Sequence, residues 1–212
     1  MSSCDPFEWR KAVKEKNWQC EPKDEEEAKR VQEEVTKVAV DLWGPVVGWK
    51  VALTGKSREL FGGGPITGPL FQEGVLGNGS TVELIKLSDP LLEPELFYCE
   101  GSFFVAFEIP DNRYGKRWSE LNWLMLLADL AGSYKVAVGK EVEPEEGAEL
   151  LLEGPNVSVK GKLNLEKVKN NMKLLEGKEG CWPLGTVLDP VKPEAGEYSF
   201  KCCGKEVRVR FV

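Results

Sequence analysis

Leu91-Leu92-Glu93-Pro94-Glu95-Leu96-Phe97-Tyr98 sets two carboxylates one residue apart inside an apolar run. In an extended chain side chains alternate faces, so Glu93 and Glu95 project to the same side. Two unit charges ~7 Å apart repel by roughly 2 kcal/mol at an effective dielectric of about 20. A cation between them removes that cost, and ligation by oxygen alone favours a hard divalent ion such as Mg2+ or Mn2+. The competing reading is a solvated pair on an exposed face, where most charges lie. Pro94 cannot donate to a sheet ladder, which places the pair at a strand start or edge.

Working outward, Gly101 permits a bend between this run and a second strand, Ser102 to Ile109. A polar loop covers 110–117. Ser119 then caps a helix with Leu121, Leu124, Met125 and Ala128 on one face. Asp129 follows, enclosed by Leu127, Ala128, Leu130 and Ala131. A carboxylate in that setting is either a solvent-facing residue near a helix end or a functional group.

Upstream, Phe7, Trp9, Val13 and Trp18 suit a short first helix over 7–18. Asp24 and Glu27 form a capping box. Ala28, Val31, Val35, Val38, Ala39 and Leu42 recur at helical spacing until Gly44-Pro45 ends the helix. The run Val46 to Thr54 reads as a strand whose only charge is Lys50. An ammonium on a buried strand face is costly. Lys50 therefore either snorkels out at an edge or faces an anion in a pocket. Gly62-Gly63-Gly64-Pro65 reads as a loop, since no GK[ST] follows it. Thr81 to Leu87 reads as a strand after the turn Gly77 to Ser80. Beyond Ser133 the chain reads as short strands and turns. Residues 141–149 suggest a mobile acidic loop, 150–152 and 157–160 strands, and 164–175 a weak helix or strand. Residues 200–212 suggest a closing strand pair around Cys203-Gly204-Lys205.

Composition narrows the function classes. The chain has 212 residues, enough for one large domain or two small ones, with no linker-like segment, and its 42% hydrophobic and 30% charged residues fit an ordered globular protein. Its net charge of −7 argues against non-specific nucleic-acid binding. No apolar run approaches a membrane span, and Met1-Ser2-Ser3-Cys4-Asp5-Pro6 lacks the basic and apolar regions of a signal peptide. A cytoplasmic protein is expected. The six cysteines contain no CxxC pair, and there is no histidine. A Cys/His zinc site is therefore disfavoured, and core or free thiols are the default expectation. No Ser-His or Cys-His nucleophile pair can form. Acid–base work falls to carboxylates, Lys, Tyr, Cys or metal-bound water.

Four blocks in order carry a family resemblance: Gly48-Trp49-Lys50-Val51-Ala52-Leu53-Thr54, Pro65-Ile66-Thr67-Gly68-Pro69-Leu70-Phe71, Glu93-Pro94-Glu95, and Leu127-Ala128-Asp129-Leu130-Ala131-Gly132-Ser133. Together they resemble the 2-hydroxypenta-2,4-dienoate (2-keto-4-pentenoate) hydratase branch of the fumarylacetoacetate hydrolase superfamily, from about Asp24 to Ser133, with divergence beyond. The resemblance implies an α/β fold, a mixed β-roll with flanking N-terminal helices, in which 1–212 form a single domain and 1–45 a helical segment packed on it. It implies a Mg2+ or Mn2+ site ligated by Glu93, Glu95 and Asp129. It implies Lys50 as the catalytic residue, and Lys50, Leu53, Thr54 and Gly185 as substrate-binding residues. The activity implied is addition of water to a 2-hydroxy-2,4-dienoate, giving a 4-hydroxy-2-oxo acid. The alternatives are a 2-oxo-3-enedioate decarboxylase and a catalytically silent 2-oxo-acid-binding member. The implied partners are a small 2-oxo acid and further copies of the chain in a homo-oligomer, with no nucleic acid and no membrane. Relatives that hydrolyse C–C bonds use a His-Glu pair to activate water, so the absence of histidine favours the hydratase.

Overall fold

The computed structural model describes residues 4–212; the leader reading of Met1 to Ser3 lies outside them. In chain order the elements are α1 (Pro6–Glu15), α2 (Glu25–Trp43), β1 (Val46–Ala52), α3 (Lys56–Phe61), β2 (Ile66–Phe71), β3 (Val75–Gly77), β4 (Ser80–Val82), β5 (Glu93–Cys99), β6 (Ser102–Ile109), α4 (Trp123–Ala128), β7 (Lys135–Val142), β8 (Glu149–Gly154), β9 (Val157–Lys162), α5 (Leu165–Lys173), β10 (Trp182–Pro183), β11 (Gly196–Cys202) and β12 (Lys205–Phe211). The fold is a mixed α/β fold, as expected. Its strands form the pair β1-β2, a sheet β10-β5-β6-β7-β3 and a sheet β4-β12-β11-β8-β9.

The long helix forms for the reasons its sequence gives. The Asp24 carboxylate accepts a 2.8 Å bond from Glu27 N, and Ala28, Val31, Val35 and Ala39 are its buried stripe. That stripe joins Trp9, Ile66, Met125 and Leu127 in one apolar cluster on the helical side. A second cluster fills the space between the two large sheets. Val105, Phe107 and Ala137 lie on one side of it, and Leu150, Leu152, Phe200 and Val207 on the other. The hairpin β5–β6 turns at Glu100-Gly101, both at positive φ (50° and 90°), the backbone of a two-residue hairpin turn. That turn fixes the register Cys99↔Ser102 through Glu93↔Glu108.

Several local expectations give way to tertiary structure. The first helix stops at Glu15 because Lys16 takes a left-handed conformation (φ 53°). The run after Gly77 is a three-residue strand followed by a 3-10 turn at Leu84–Lys86. Asn122, not Ser119, caps α4 by accepting from Met125 N at 3.0 Å. Residues 56–61 form the short helix α3, just ahead of the Gly62–Pro65 loop. The acidic 141–149 stretch is a loop and turn over 143–148, with its ends held in β7 and β8. Residues 165–173 are helical.

The thiol expectation is corrected for four of six cysteines. Cys4–Cys20 and Cys99–Cys181 are disulfides, and Cys202 and Cys203 are free. The first ties α1 to the segment before α2. The second ties the end of β5 to the start of β10.

Asp129 is the largest correction. It is fully buried, and its carboxylate is occupied by protein donors. Arg113 Nε and Trp9 Nε1 donate to Oδ1 at 2.6 and 2.7 Å, and Arg113 N donates to Oδ2 at 2.9 Å. The remaining guanidinium donors reach Ser133 O and Asp129 O at 2.9 and 2.7 Å. Trp9 and Trp43, packed edge-to-face on each other, both lie against that guanidinium, at 5.6 and 5.7 Å. Asp129 thus locks α1, α2 and the 110–117 loop together and has no oxygen left for an ion.

Two outcomes follow from this packing. Removing one member of a buried ion pair strands its partner, at a cost of about 3–5 kcal/mol. Arg113→Met and Asp129→Ala should each lower the urea midpoint by a corresponding amount, and unchanged midpoints would refute the locking role. Thiol titration in denaturant without reductant should find two reactive cysteines; six would show that neither disulfide forms.

Candidate metal centre

The cross-strand register of β5 and β6 pairs Glu93 directly with Glu108, and Glu95 lies two residues along on the same face. Glu93, Glu95 and Glu108 each offer an oxygen within 4.8 Å of the others. Asp129 does not belong to this group; Glu108 stands where the third acid was expected. Like charges that close repel by about 3 kcal/mol per pair at an effective dielectric of about 20. The group is also largely shielded from water: Glu95 and Glu108 are 0% and 3% exposed, and Glu93 is half-buried.

Lys50 meets this group from β1. It is buried and makes an ion pair with Glu108 Oε1. The pocket reading of Lys50 is therefore the one the fold realises. Burial pulls its pKa down, but attraction to Glu108 and then Glu93 outweighs that, and the net direction is up. Lys50 stays an ammonium. Burial, then repulsion from Glu108, pushes the Glu93 carboxyl up to about 7, against the pull of Lys50. Burial, Glu108 and Glu93 push Glu95 well above the carboxylate range.

β10 holds the two halves in register. Cys181 N donates to Val47 O and Trp49 N to Cys181 O, at 2.9 and 3.0 Å, which binds it to β1. A Cβ at Gly48 would fall 1.8 Å from Cys181 O, so only glycine admits this approach. On the other side Pro183 pairs with Phe97, and Leu184 N donates to Leu96 O at 3.0 Å. The chain then turns at Gly185 (φ 82°), whose N–H donates to Glu95 Oε2 at 3.1 Å.

Among the described residues, four buried side-chain polar atoms lack a partner: Trp18 Nε1, Trp182 Nε1, Glu95 Oε1 and Glu108 Oε2. Two of the four are thus carboxylate oxygens of one cluster. An unsatisfied buried acceptor costs about 1–3 kcal/mol, and more when charged. Buried carboxylate oxygens without donors, close together and beside a third acid, fit a hard divalent cation held by Glu93, Glu95 and Glu108.

The other expected residues fall as follows. Thr54 and Gly185 come together with this group: a Cβ at Gly185 would meet Asn171 Nδ2 at 2.7 Å and Thr54 Oγ1 at 3.8 Å. The Leu53 side chain belongs to the helical-side apolar cluster, and its positive φ of 57° turns the chain toward Thr54. Thr54 and Asn171 line a cleft of about 280 Å³ between the end of β1 and α5. A larger hollow of about 480 Å³ lies over the outer faces of β8, β11 and β12. Its Lys201 and Arg208 are already paired with Glu153 and Glu206, at 3.1 and 2.9 Å. Sequence reading missed Glu108 and Asn171. Glu108 carried a usable signal: it is the only charge in the Ser102 to Ile109 strand, and a two-residue turn at Glu100-Gly101 sets it opposite Glu93.

The sequence matches no family model and none of the curated proteins. Solved structures do resemble it. 4-Oxalocrotonate decarboxylase from Pseudomonas putida G7, in complex with magnesium and adipate, superposes with a TM-score of 0.80 at 18% identity, covering 98% of this chain and 95% of that one. A 2-hydroxyhepta-2,4-diene-1,7-dioate isomerase from Mycobacterium marinum gives 0.56 at 13% identity, over 79% and 76% of the two chains. A protein from Yersinia pestis CO92 assigned to the fumarylacetoacetate hydrolase family gives 0.53 at 12% identity, over 79% and 94%. This chain therefore shares the fold of the fumarylacetoacetate hydrolase family.

Proposed function

We propose that the protein is a divalent-metal-dependent enzyme that hydrates a 2-hydroxy-2,4-dienoate to a 4-hydroxy-2-oxo acid. The observation that carries the reading is the pair of donorless buried oxygens, Glu95 Oε1 and Glu108 Oε2, beside Glu93 and within reach of Lys50. Mg2+ or Mn2+ bound by these three acids would supply Lewis-acid stabilisation of negative charge developing on a 2-oxo group.

The chain's own groups supply the rest. Glu108 Oε1 fixes the Lys50 ammonium on the carboxylate cluster, so its proton is aimed at a bound anion rather than at bulk water. Lys50 Nζ can give a proton to a substrate carbon during tautomerisation, with Glu108 Oε1 positioned to steady the charge change. Gly185 N–H keeps Glu95 oriented through Oε2 and leaves Oε1 directed into the cluster. β10 and the sheet behind it exclude water from this side, strengthening each electrostatic contact.

Decarboxylation of a 2-oxo-3-enedioate is the second reading. The superposition on 4-oxalocrotonate decarboxylase, which spans nearly both chains, favours it. It needs the same charge sink and a proton for carbon, but no added water.

Two measurements test these readings. A Mg2+ or Mn2+ concentration one hundred times Kd stabilises by about 2.7 kcal/mol, a rise in Tm of roughly 5 to 10 °C for a chain of this size. Glu95→Gln keeps the acceptor for Gly185 N–H but should lose that rise; no rise in the native protein would sink the metal centre. With metal present, a 2-hydroxy-2,4-dienoate should lose its absorbance without release of carbon dioxide. Lys50→Met should slow this by about 10²- to 10⁴-fold. Carbon dioxide from an oxo-enedioate would select the second reading, and metal binding without turnover of either substrate would leave a silent binding protein.

A further inference from the structure

Four of the six cysteines are spent in Cys4–Cys20 and Cys99–Cys181, and the two left over are neighbours in the chain. β11 sends Tyr198, Phe200 and Cys202 into the core on one face, and Cys202 is 1% exposed. In a continuing strand the next side chain would point to the opposite face. Here the hairpin intervenes. Cys202 pairs with Lys205, so Cys203 and Gly204 form a two-residue turn, at φ 48° and 72°. Such a turn favours Asn, Asp or Gly at its first position. A cysteine there takes the left-handed backbone instead, and in that conformation Cys203 Sγ lies 3.5 Å from Cys202 Sγ. Cys203 is half-buried against the core and partly open to solvent. Burial first, and then Cys203, push the Cys202 thiol up to about 12, so it stays protonated at neutral pH. The pair stands apart from the carboxylate cluster, which lies on the other large sheet.

What two sulfurs so placed can hold is set by their spacing. A disulfide between them is disfavoured: consecutive Cα atoms are ~3.8 Å apart across a trans peptide, short of the roughly 4.4–6.8 Å that a relaxed disulfide spans. A zinc centre is disfavoured too, because a structural site takes four protein ligands. Among the described residues, the group of three or more His, Cys, Asp and Glu able to share an ion is Glu93, Glu95 and Glu108, so no third ligand of these types joins the thiols. A linear two-coordinate ion with bonds of about 2.3 Å, the length of a zinc–thiolate bond, would need its sulfurs ~4.6 Å apart. A pyramidal centre with bonds of about that length meeting at ~100° spans roughly 3.5 Å and asks the protein for two sulfurs only. We infer that Cys202 and Cys203 form a capture site for trivalent arsenicals of the arsonous acid class, held by both sulfurs at the β11–β12 turn. The condensation balances without a redox step: two S–H and two As–O bonds break, two As–S bonds form, and the two hydroxyls leave as water. Cys203, the more exposed sulfur, bonds first. Cys202 then closes the ring within the same molecule, at a high effective concentration.

The test uses phenylarsine oxide, which water converts to the arsonous acid, and the full chain in buffer free of reductant, so that both disulfides stay closed. Intact-mass measurement should show one phenylarsenic group per chain. That group should come off with 1,2-ethanedithiol and survive the same excess of the monothiol 2-mercaptoethanol, the signature of two sulfurs on one centre. Cys203→Asn suits the turn and should keep or raise Tm, while weakening capture by about 10²- to 10⁴-fold through loss of the second attachment. Cys202→Ala should weaken capture over the same range; it leaves a space in the core, so Cys203→Asn carries the test if that variant fails to fold. An adduct that persists undiminished in Cys203→Asn, or that the monothiol removes as readily as the dithiol, would overturn the assignment. A native chain that takes up no phenylarsenic group would overturn it as well, and a mass lower by two hydrogens than two disulfides require would show that the pair had closed as a third disulfide instead.

Discussion

Three carboxylates and one ammonium share a space from which water is largely excluded, and the surrounding structure exists to hold them there. Directly opposed like charges destabilise an antiparallel pair, yet β5 and β6 place Glu93 against Glu108. Lys50 offsets part of that cost but cannot offset all of it. The hairpin is kept in register by features outside the cluster: the two-residue turn at Glu100-Gly101, and the apolar core behind it built on Val105 and Phe107. β10 adds a second constraint, since it is bonded to β1 and β5 at once and joined to β5 by Cys99–Cys181. A site that opposes its own formation needs this redundancy.

What the sequence revealed depended on whether a residue's partner was near in the chain. Glu93 and Glu95 were legible because a strand period of two is a local rule, and Lys50 because a lone ammonium in an apolar strand demands an anion. The long helix was legible from its cap and stripe. Glu108 was overlooked because its meaning is set across a hairpin, through a turn read only as a bend. Asp129 was misassigned for the opposite reason. Its apolar setting signalled a buried carboxylate, but its neighbours could not say whether a metal ion or a guanidinium answers it. The answer lay in residues 110–117, read as a polar loop. There Asp111, Asn112 and Arg113 are buried, and their polar groups find partners inside: Asp111 accepts from Ser88 N and Asp89 N at 3.0 Å each, and Arg113 Nε donates to Asp129. Polar composition marks a surface loop only where its groups lack partners inside.

The two buried acidic centres of this chain separate structure from function by a single criterion. Around Asp129 the donors match the acceptors: three hydrogen bonds reach the carboxylate, and Arg113 finds two carbonyl oxygens for its remaining N–H groups. Both carboxylate oxygens have protein donors, and the cluster ties α1 and α2 to the 110–117 loop. Around Glu108 the match fails. One oxygen of Glu108 and one of Glu95 have no donor, and Glu93 adds a third acid where the protein provides a single ammonium. Burial, carboxylate count and a basic partner are common to both centres, so none of these alone identifies a site. The distinguishing fact is an excess of acceptors that the chain itself leaves open. Such an excess is relieved either by protonation, the direction in which Glu93 and Glu95 are pushed, or by a cation from outside.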